Sequence, residues 1–181
     1  MKSKEERDLL RLFVFMGTAI LHSALASCDR LRAGCVIVKD KVIRGVGYNN
    51  PLPGMPHCDE VGHKMEEGHC VRTRHAEKNA LTFTPAEHKN GGQAIITATP
   101  CVRCVTDLVA EKIARVDYLN PYGNVGNPAF IKEISEHTGL IIQQHDIDIA
   151  ELFKKVFDQL AKPGGELWFA GYRINVTKEP I

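Results

Sequence analysis

Residues 93–104 read QAIITATPCVRC and carry the strongest indication of the fold. Gln93 to Thr99 is an apolar run with β-branched residues, which predicts a buried strand. Pro100 predicts the first position of a helix that runs to about Ile113, with Thr99 as its N-cap. A strand that passes directly into a helix is typical of layered α/β proteins.

Strands and helices alternate on both sides of this stretch. The pattern predicts helices over residues 4–27, 75–83, 127–138 and 147–160, strands over 34–38, 42–48, 116–119 and 140–144, and a turn at Asp40-Lys41 between the first two strands. We therefore predict an α/β fold with three α-β-α layers and about five strands in a mixed central sheet. The sheet begins with a β-hairpin and is connected by crossover helices.

The carboxyl-terminal residues form a separate segment in this prediction. Pro163-Gly164-Gly165 ends the last helix, and a period-two pattern from Trp168 to Val176 predicts an extra C-terminal strand. We assign residues 1–162 to one domain and residues 163–181 to a C-terminal extension of unknown role.

Composition excludes several classes of protein. The chain has 181 residues, 44% hydrophobic and 25% charged, as in globular proteins. Its net charge of +1 argues against a strongly basic nucleic-acid-binding surface. No apolar run is long enough to span a membrane. Acidic residues at positions 5, 6 and 8 argue against a signal peptide, so we expect a cytoplasmic protein.

The cysteines and histidines point to a metal site. Six cysteines are too few for a disulfide scaffold in a chain of this length. His75-Ala76-Glu77 and Pro100-Cys101-Val102-Arg103-Cys104 each stand at a predicted helix start, where the helix dipole stabilises thiolates. His75, Cys101 and Cys104 would leave one zinc position open for water, as in catalytic sites, and Glu77 could transfer protons. This combination is the signature of zinc deaminases, in which the glutamate is not a ligand.

Two other interpretations of these residues are weaker. A redox Cys-x-x-Cys pair gives no reason for His75 and Glu77. A structural zinc site gives no reason for a glutamate that is not a ligand. We therefore predict a catalytic zinc ion and a zinc-dependent deaminase domain in residues 1–162.

A resemblance to a known family extends well beyond the zinc motif. The chain resembles the cytidine/deoxycytidylate deaminase superfamily, and within it the dCMP deaminase branch with its bacterial late-competence ComE-type proteins. The matching residues are 28–30, 34–38, 47–51, 57–60, 69–80 and 100–104. The resemblance implies hydrolytic conversion of dCMP to dUMP with release of ammonia, with water activated by zinc and Glu77 moving the protons.

The same resemblance implies how the substrate is held and how the protein is regulated. Asn49 corresponds to a residue that contacts sugar or base, and Arg30 and Tyr122 stand where the 5′-phosphate would be held. Relatives form homo-oligomers, a hexamer or a dimer, that dCTP activates and dTTP inhibits. Asn50 replaces a glycine of the family; asparagine tolerates the turn, but its side chain argues against close approach of such an effector. Arg74 replaces an apolar residue and either assists an anionic substrate or is solvated.

The remaining cysteines and histidines predict a second zinc ion. Residues 49–72 show little periodicity and contain several prolines and glycines, five of them between positions 51 and 62. A loop of this length in a compact domain is usually functional. Some relatives carry a second, structural zinc at comparable positions. We predict Cys28, Cys58, His63 and His69 as its ligands, with Cys70 or His57 as substitutes. Cys35, in the middle of a strand, is expected in the core.

Two alternative functions remain open at this point. The first is deamination of another aminated base, such as tRNA adenosine, guanine, cytosine or dCTP. Such relatives lack the extended segment 48–74, and the near-neutral charge disfavours a tRNA-binding protein. The second is a non-catalytic zinc module linked to DNA uptake, which would have no use for Glu77.

Overall fold

The computed structural model describes residues 2–121, 123, 126–160, 166–169 and 172–175. Helix α1 (Lys4–Ser23) precedes strands β1 (Gly34–Lys39) and β2 (Val42–Tyr48). The following segment contains β3 (Asn50–Pro51), α2 (Cys58–Val61), β4 (Met65–Glu66), β5 (His69–Cys70) and β6 (Thr73–Arg74). The remaining elements are α3 (Ala76–Phe83), β7 (Gln93–Ala98), α4 (Val102–Ala110), β8 (Arg115–Asn120), α5 (Pro128–Thr138), β9 (Ile141–Gln144), α6 (Ile149–Leu160), β10 (Glu166–Phe169) and β11 (Tyr172–Asn175), with a short 3-10 turn at Ala86–His88.

The central sheet has five strands in the order β2-β1-β7-β8-β9. Strand β1 is antiparallel to β2 and β7, whereas β7, β8 and β9 run parallel to one another. Asp40 and Lys41 both adopt positive φ, 52° and 63°, which gives the hairpin turn a twist that matches its strands. The predicted mixed sheet with a hairpin at its start is therefore confirmed.

Two apolar clusters form the core, one on each face of the sheet. Side chains alternate along a strand, so Val36 and Ile95 face α1 and α6, while Ile37 and Ile96 face α3 and α4. The helices thus cover both faces, as the prediction of three layers requires.

Helix α3 approaches strand β2 very closely because two glycines face it. A Cβ atom on Gly47 would lie 2.2 Å from the backbone nitrogen of Ala80 and 2.4 Å from the carbonyl oxygen of Ala76. A Cβ atom on Gly45 would lie 2.0 Å from Thr84 Oγ1. The absence of these side chains sets the distance between the sheet and the first turn of α3, which carries His75 and Glu77.

A buried carboxylate joins three parts of the chain near the end of the sheet. Asp117 on β8 is 1% exposed, and its Oδ2 accepts hydrogen bonds of 2.7 Å from Gln93 Nε2 and Arg115 Nε. Its Oδ1 accepts from Arg115 Nη2 at 2.7 Å and lies 2.5 Å from His145 Nε2. Burial disfavours the charge, but these hydrogen bonds outweigh burial and keep the pKa of Asp117 below its usual value.

The amino and carboxyl ends differ in part from the predictions. Helix α1 begins at a capping box in which Ser3 Oγ accepts from the Glu6 backbone and Glu6 Oε2 accepts from the Ser3 backbone. In place of one extra C-terminal strand, β10 and β11 pair antiparallel with each other in a sheet of their own. Within the described residues, no helix combines the length and the apolar character that crossing a membrane requires.

Candidate active site

The two halves of the predicted zinc motif lie at the amino ends of neighbouring helices. His75 is the N-cap of α3, and Cys101 is the N-cap of α4. The prediction that Thr99 caps α4 is wrong, because the chain stays extended through Cys101 (φ −76°, ψ 165°) and turns helical only at Val102. At a cap position, the Cys101 thiol lies beside the free N–H groups of the first turn.

The distances among these side chains fit a zinc ion. His75 Nδ1 lies 3.5 Å from Cys101 Sγ and 3.3 Å from Cys104 Sγ. Tetrahedral zinc, with Zn–N of about 2.0 Å and Zn–S of about 2.3 Å, places a nitrogen and a sulfur ligand about 3.5 Å apart. We call these three residues the helix-end site. Two thiols and one imidazole suit zinc and leave its fourth position to water.

The two thiols of the helix-end site share one proton unequally. Hydrogen bonds from Cys104 and His75 lower the pKa of Cys101 to about 3, although burial opposes this. The same sulfur contact, together with burial, raises the pKa of Cys104, so the remaining proton stays there. Glu77 lies beside these ligands and is only 5% exposed. Its burial raises the pKa of the carboxyl group, against the attraction of His75.

A cleft opens beside the helix-end site, and its space, including the open solvent at its mouth, is about 690 Å³. Its lining includes the buried Glu77 with His75 and Cys101, and the strand ends contribute Ile96, Ala98 and Thr99. The exposed part of the lining includes Arg30 and Gly68, next to the half-buried His69. A buried carboxylate beside a three-ligand metal site thus lies at the floor of an accessible cleft.

The predicted substrate-binding residues are placed differently from one another. Asn49 lines the cleft and is 7% exposed, but its Oδ1 accepts from Ala33 N at 2.7 Å and its Nδ2 donates to Leu31 O at 2.8 Å. Asn49 therefore shapes the cleft wall through the backbone at 31–33. Arg30 lines the cleft with an exposed guanidinium. Tyr122 lies outside the described residues.

Asn50 and Arg74, the two residues that depart from the family pattern, are not among the described cleft-lining residues. Asn50 lies in β3, paired with Arg74 of β6, and its φ is not positive, so the expected turn is absent there. The Arg74 guanidinium donates to the carbonyl oxygen of Lys78 and to Thr82 Oγ1, at 3.3 Å and 3.1 Å. It therefore packs along α3 and is not among the cleft-lining residues that the structure describes.

Four side chains outside the helix-end site form a second group, which we call the loop cluster. Cys28, Cys58, His63 and Cys70 bring one ligand atom each within 4.8 Å of the others. Cys28 Sγ lies 3.7 Å from His63 Nδ1, and Cys58 Sγ lies 3.7 Å from Cys70 Sγ. Tetrahedral zinc would place such pairs about 3.5 Å and 3.8 Å apart, so this donor set also fits.

The structure brings Cys70, and not the predicted fourth ligand His69, into this group. Both residues belong to the two-residue strand β5, in which successive side chains point in opposite directions. Cys70 enters the cluster and His69 does not, although both residues line the cleft. The substitute Cys70 was predicted from the sequence, but the choice between neighbouring residues depends on the register of the β4–β5 pair. His57, the other substitute, is not part of the group.

Sequence reasoning missed two features of the loop cluster. Asp29 Oδ1 lies 2.9 Å from His63 Nε2, so the imidazole is held by a carboxylate on one side while its other nitrogen faces the cysteines. Metal-binding histidines are commonly oriented in this way. Backbone groups of Arg72 and Lys64 and the His63 ring outweigh burial and lower the pKa of Cys70 to about 7. Only the position of Asp29 directly after Cys28 could have indicated the first feature.

Fold and site together define a class of protein: a three-layer α/β enzyme scaffold with a His-Cys-Cys zinc site and a glutamate beside it, as in zinc-dependent deaminases. The family described as the cytidine and deoxycytidylate deaminase zinc-binding region matches residues 12–120. The chain belongs to this family, which confirms the resemblance found in the sequence.

Individual relatives agree with this membership. The chain is 32% identical over 136 residues to ComE operon protein 2 of Bacillus subtilis, covering 74% of this chain and 70% of that protein. It is 31% identical over 116 residues to the deoxycytidylate deaminase of Mycobacterium phage D29, covering 58% of this chain and 90% of that protein. A crystal structure of dCMP deaminase from the cyanophage S-TIM5 in complex with dCMP and dUMP has the same fold, with a TM-score of 0.61, 23% identity, and coverage of 80% of this chain and all of that one.

Proposed function

We propose that this protein hydrolyses dCMP to dUMP and ammonia. The observation that carries the proposal is the buried Glu77 beside the helix-end site at the floor of the cleft. The similarity to the deoxycytidylate deaminase of Mycobacterium phage D29 supports dCMP as the substrate. The reaction consumes one water: its oxygen bonds to the ring carbon that carries the amino group, and that amino group leaves as ammonia.

The roles of the residues follow from their chemistry. His75, Cys101 and Cys104 would hold a zinc ion, which in a three-ligand site lowers the pKa of water toward neutrality. Glu77 would accept the proton that the water loses and deliver it to the departing amino group. Burial at the cleft floor keeps this carboxylate within reach of the substrate and away from competing solvent. Glu77 would carry the proton in both transfers, from the water and to the departing amino group, so no second acid is needed.

The cleft also has groups suited to the rest of the nucleotide. Arg30 offers a planar guanidinium that can bind a phosphate through two hydrogen bonds. Asn49 orders the wall near the base, and its amide has one N–H and one acceptor position beyond the two backbone bonds described above. Tyr122 keeps its proposed role at the phosphate, as the resemblance implies.

A second zinc ion in the loop cluster is part of the proposal. Its four donors match tetrahedral structural zinc, and the site joins the segment after α1 to residues 58–70, whose regular elements are one four-residue helix and two two-residue strands. A homo-oligomer, either hexamer or dimer, and the effectors dCTP and dTTP stay predictions, as does a cytoplasmic location. For the effectors, the extended backbone of Asn50 gives no support.

A substrate panel tests the proposed function. Purified protein is mixed separately with dCMP, dCTP, cytidine, deoxycytidine and guanine, and released ammonia is measured. We expect release from dCMP with the highest kcat/KM. Turnover of another base but not dCMP would establish a deaminase of different specificity, and no turnover of any compound by zinc-loaded protein would favour the non-catalytic module.

A further inference from the structure

Asn79 joins helix α3 to the end of strand β2. Its Nδ2 donates a 2.8 Å hydrogen bond to the carbonyl oxygen of Tyr48, the last residue of the strand. Its backbone nitrogen donates at 3.1 Å to the carbonyl oxygen of His75, the N-cap of the helix. One residue is therefore bonded both to the first turn of α3, which carries Glu77, and to the strand beside it.

The carbonyl that Asn79 holds belongs to a peptide group with a partner on each side. The carbonyl of Tyr48 and the N–H of Asn49 form one planar trans unit, so they point in opposite directions. The carbonyl accepts from Asn79, while the N–H donates at 3.2 Å to Ala33 O. Because the unit is planar, a displacement on its carbonyl side is transmitted to its N–H side.

The N–H side of this peptide group belongs to the cleft. Asn49 lines the cleft, and its side chain also fixes the neighbouring wall through the backbone of Leu31 and Ala33. Helix α3 contributes Glu77 to the same cleft. The peptide group thus connects the helix of the proton carrier to the wall that Asn49 forms.

Packing and hydrogen bonding constrain the helix in different ways. Contact of α3 with Gly45 and Gly47 sets how near the helix lies to β2. A hydrogen bond is directional and weakens steeply away from its preferred geometry, so the Asn79 amide also sets the position of the helix along the strand. A displacement of about 1 Å between reacting groups can lower a rate about a hundredfold. The alignment of Glu77 with a bound base is therefore sensitive to this contact.

We propose that Asn79 is a positioning residue for the deamination: its amide fixes α3 against the end of β2 and so holds Glu77 at the correct distance from the base. Asn79 is not among the described cleft-lining residues, so it acts through Glu77 and not on the substrate. The nature of the reaction rests on the proposed function. The wall at residues 31–33 keeps its own bonds to Asn49 when Asn79 is changed, so the effect falls on kcat and not on ligand affinity.

The test compares three replacements of Asn79. Turnover is measured with dCMP, or with whichever compound of the substrate panel wild type deaminates fastest, together with the dissociation constant of the product, zinc per chain and the unfolding midpoint. Asn79→Ala removes the donor, and Asn79→Asp keeps the size of the side chain but places a carboxylate oxygen against a carbonyl oxygen. We expect kcat per zinc-loaded chain to fall about tenfold or more in both, with product affinity and zinc content unchanged. Asn79→Gln, which keeps the N–H donor, should recover part of the loss, and the exposed Asn90→Ala is the matched control and should behave as wild type.

A double variant tests whether Asn79 acts through Glu77. In Glu77→Gln/Asn79→Ala, the residual kcat should equal that of Glu77→Gln, because no carboxylate remains to be aligned. A purely structural role predicts a lower unfolding midpoint with unchanged kcat per zinc-loaded chain, and that result would overturn the inference, as would an equal loss of kcat in both backgrounds. Wild-type kcat in Asn79→Asp would also overturn it, which decides the matter if Asn79→Ala does not fold. Failure of the proposed function is distinguishable, because it appears in wild type itself as no ammonia release from dCMP; turnover of no panel compound at all would end this inference too.

Discussion

The His63 ring connects Asp29 to a group of three cysteines. Its Nε2 lies 2.9 Å from Asp29 Oδ1, while its Nδ1 lies 3.7 Å from Cys28 Sγ. The carboxylate thereby sets which nitrogen is available to a metal ion. Because Asp29 is 78% exposed, the contact itself adds little stability, and its value lies in orientation.

We expect two zinc ions per chain in the wild-type protein. Replacement of His63 by alanine should reduce the count to one and lower the thermal midpoint, because metal binding energy contributes to the stability of a loop with little core of its own. Elemental analysis and thermal unfolding check this. His88→Ala, a half-buried histidine far along the chain from the cluster, is the control; one zinc ion in wild type would contradict the prediction.

Glu77→Gln should abolish activity and keep the metal. The amide has the size of the carboxylate but cannot accept the proton of water, and general acid–base groups contribute about 10²–10⁴-fold to rate. We expect kcat for dCMP to fall by at least about a hundredfold, with zinc content and unfolding midpoint near wild type. If zinc is lost instead, Glu77 is a ligand and its assigned role is wrong.

Gly47→Ala should damage both stability and the active site. The new Cβ would meet backbone atoms of α3 at 2.2 Å and 2.4 Å, so the helix itself must move. Overpacking of this kind costs about 1–3 kcal/mol or more, and the displacement would carry His75 and Glu77 with it. Denaturant unfolding and dCMP turnover should both decline. In Gly123→Ala, where no atom lies within 4 Å of the new Cβ, neither should change.

Asp117 should make stability depend on acidity. Its pKa is lowered in the folded state, so its contribution is complete above the unfolded value of about 3.9 and is lost as the pH falls through the folded pKa. Asp117→Asn should cost about 1–3 kcal/mol near neutral pH, since it leaves buried donors without an acceptor. The difference in unfolding free energy from wild type should shrink below about pH 4. A difference independent of pH between 2 and 7 would refute the role of the charge; exposed Asp146→Asn is the control.

Much of the fold could be predicted because its signals are local. The hairpin turn at Asp40-Lys41 and the strand at 93–98 depend on short-range sterics and on alternation of side chains. The N-cap of α4 was predicted at Thr99, two residues before its actual place at Cys101. The local sequence allows either residue to be the N-cap. The extended path to Cys101 is favoured by the position of its thiol beside His75, a contact between residues 26 apart.

The sequence by itself determined the layered fold, the helix-end site and the presence of spare metal ligands, because residue type and spacing along one or two helical turns are sufficient for these. The tertiary structure decided which spare ligands meet: the register of a two-residue hairpin brought Cys70, and not His69, into the loop cluster. It also decided that Asp29 supports His63, which lies 34 positions further along the chain. Such pairings depend on where loops cross in space, and neither periodicity nor composition encodes that position.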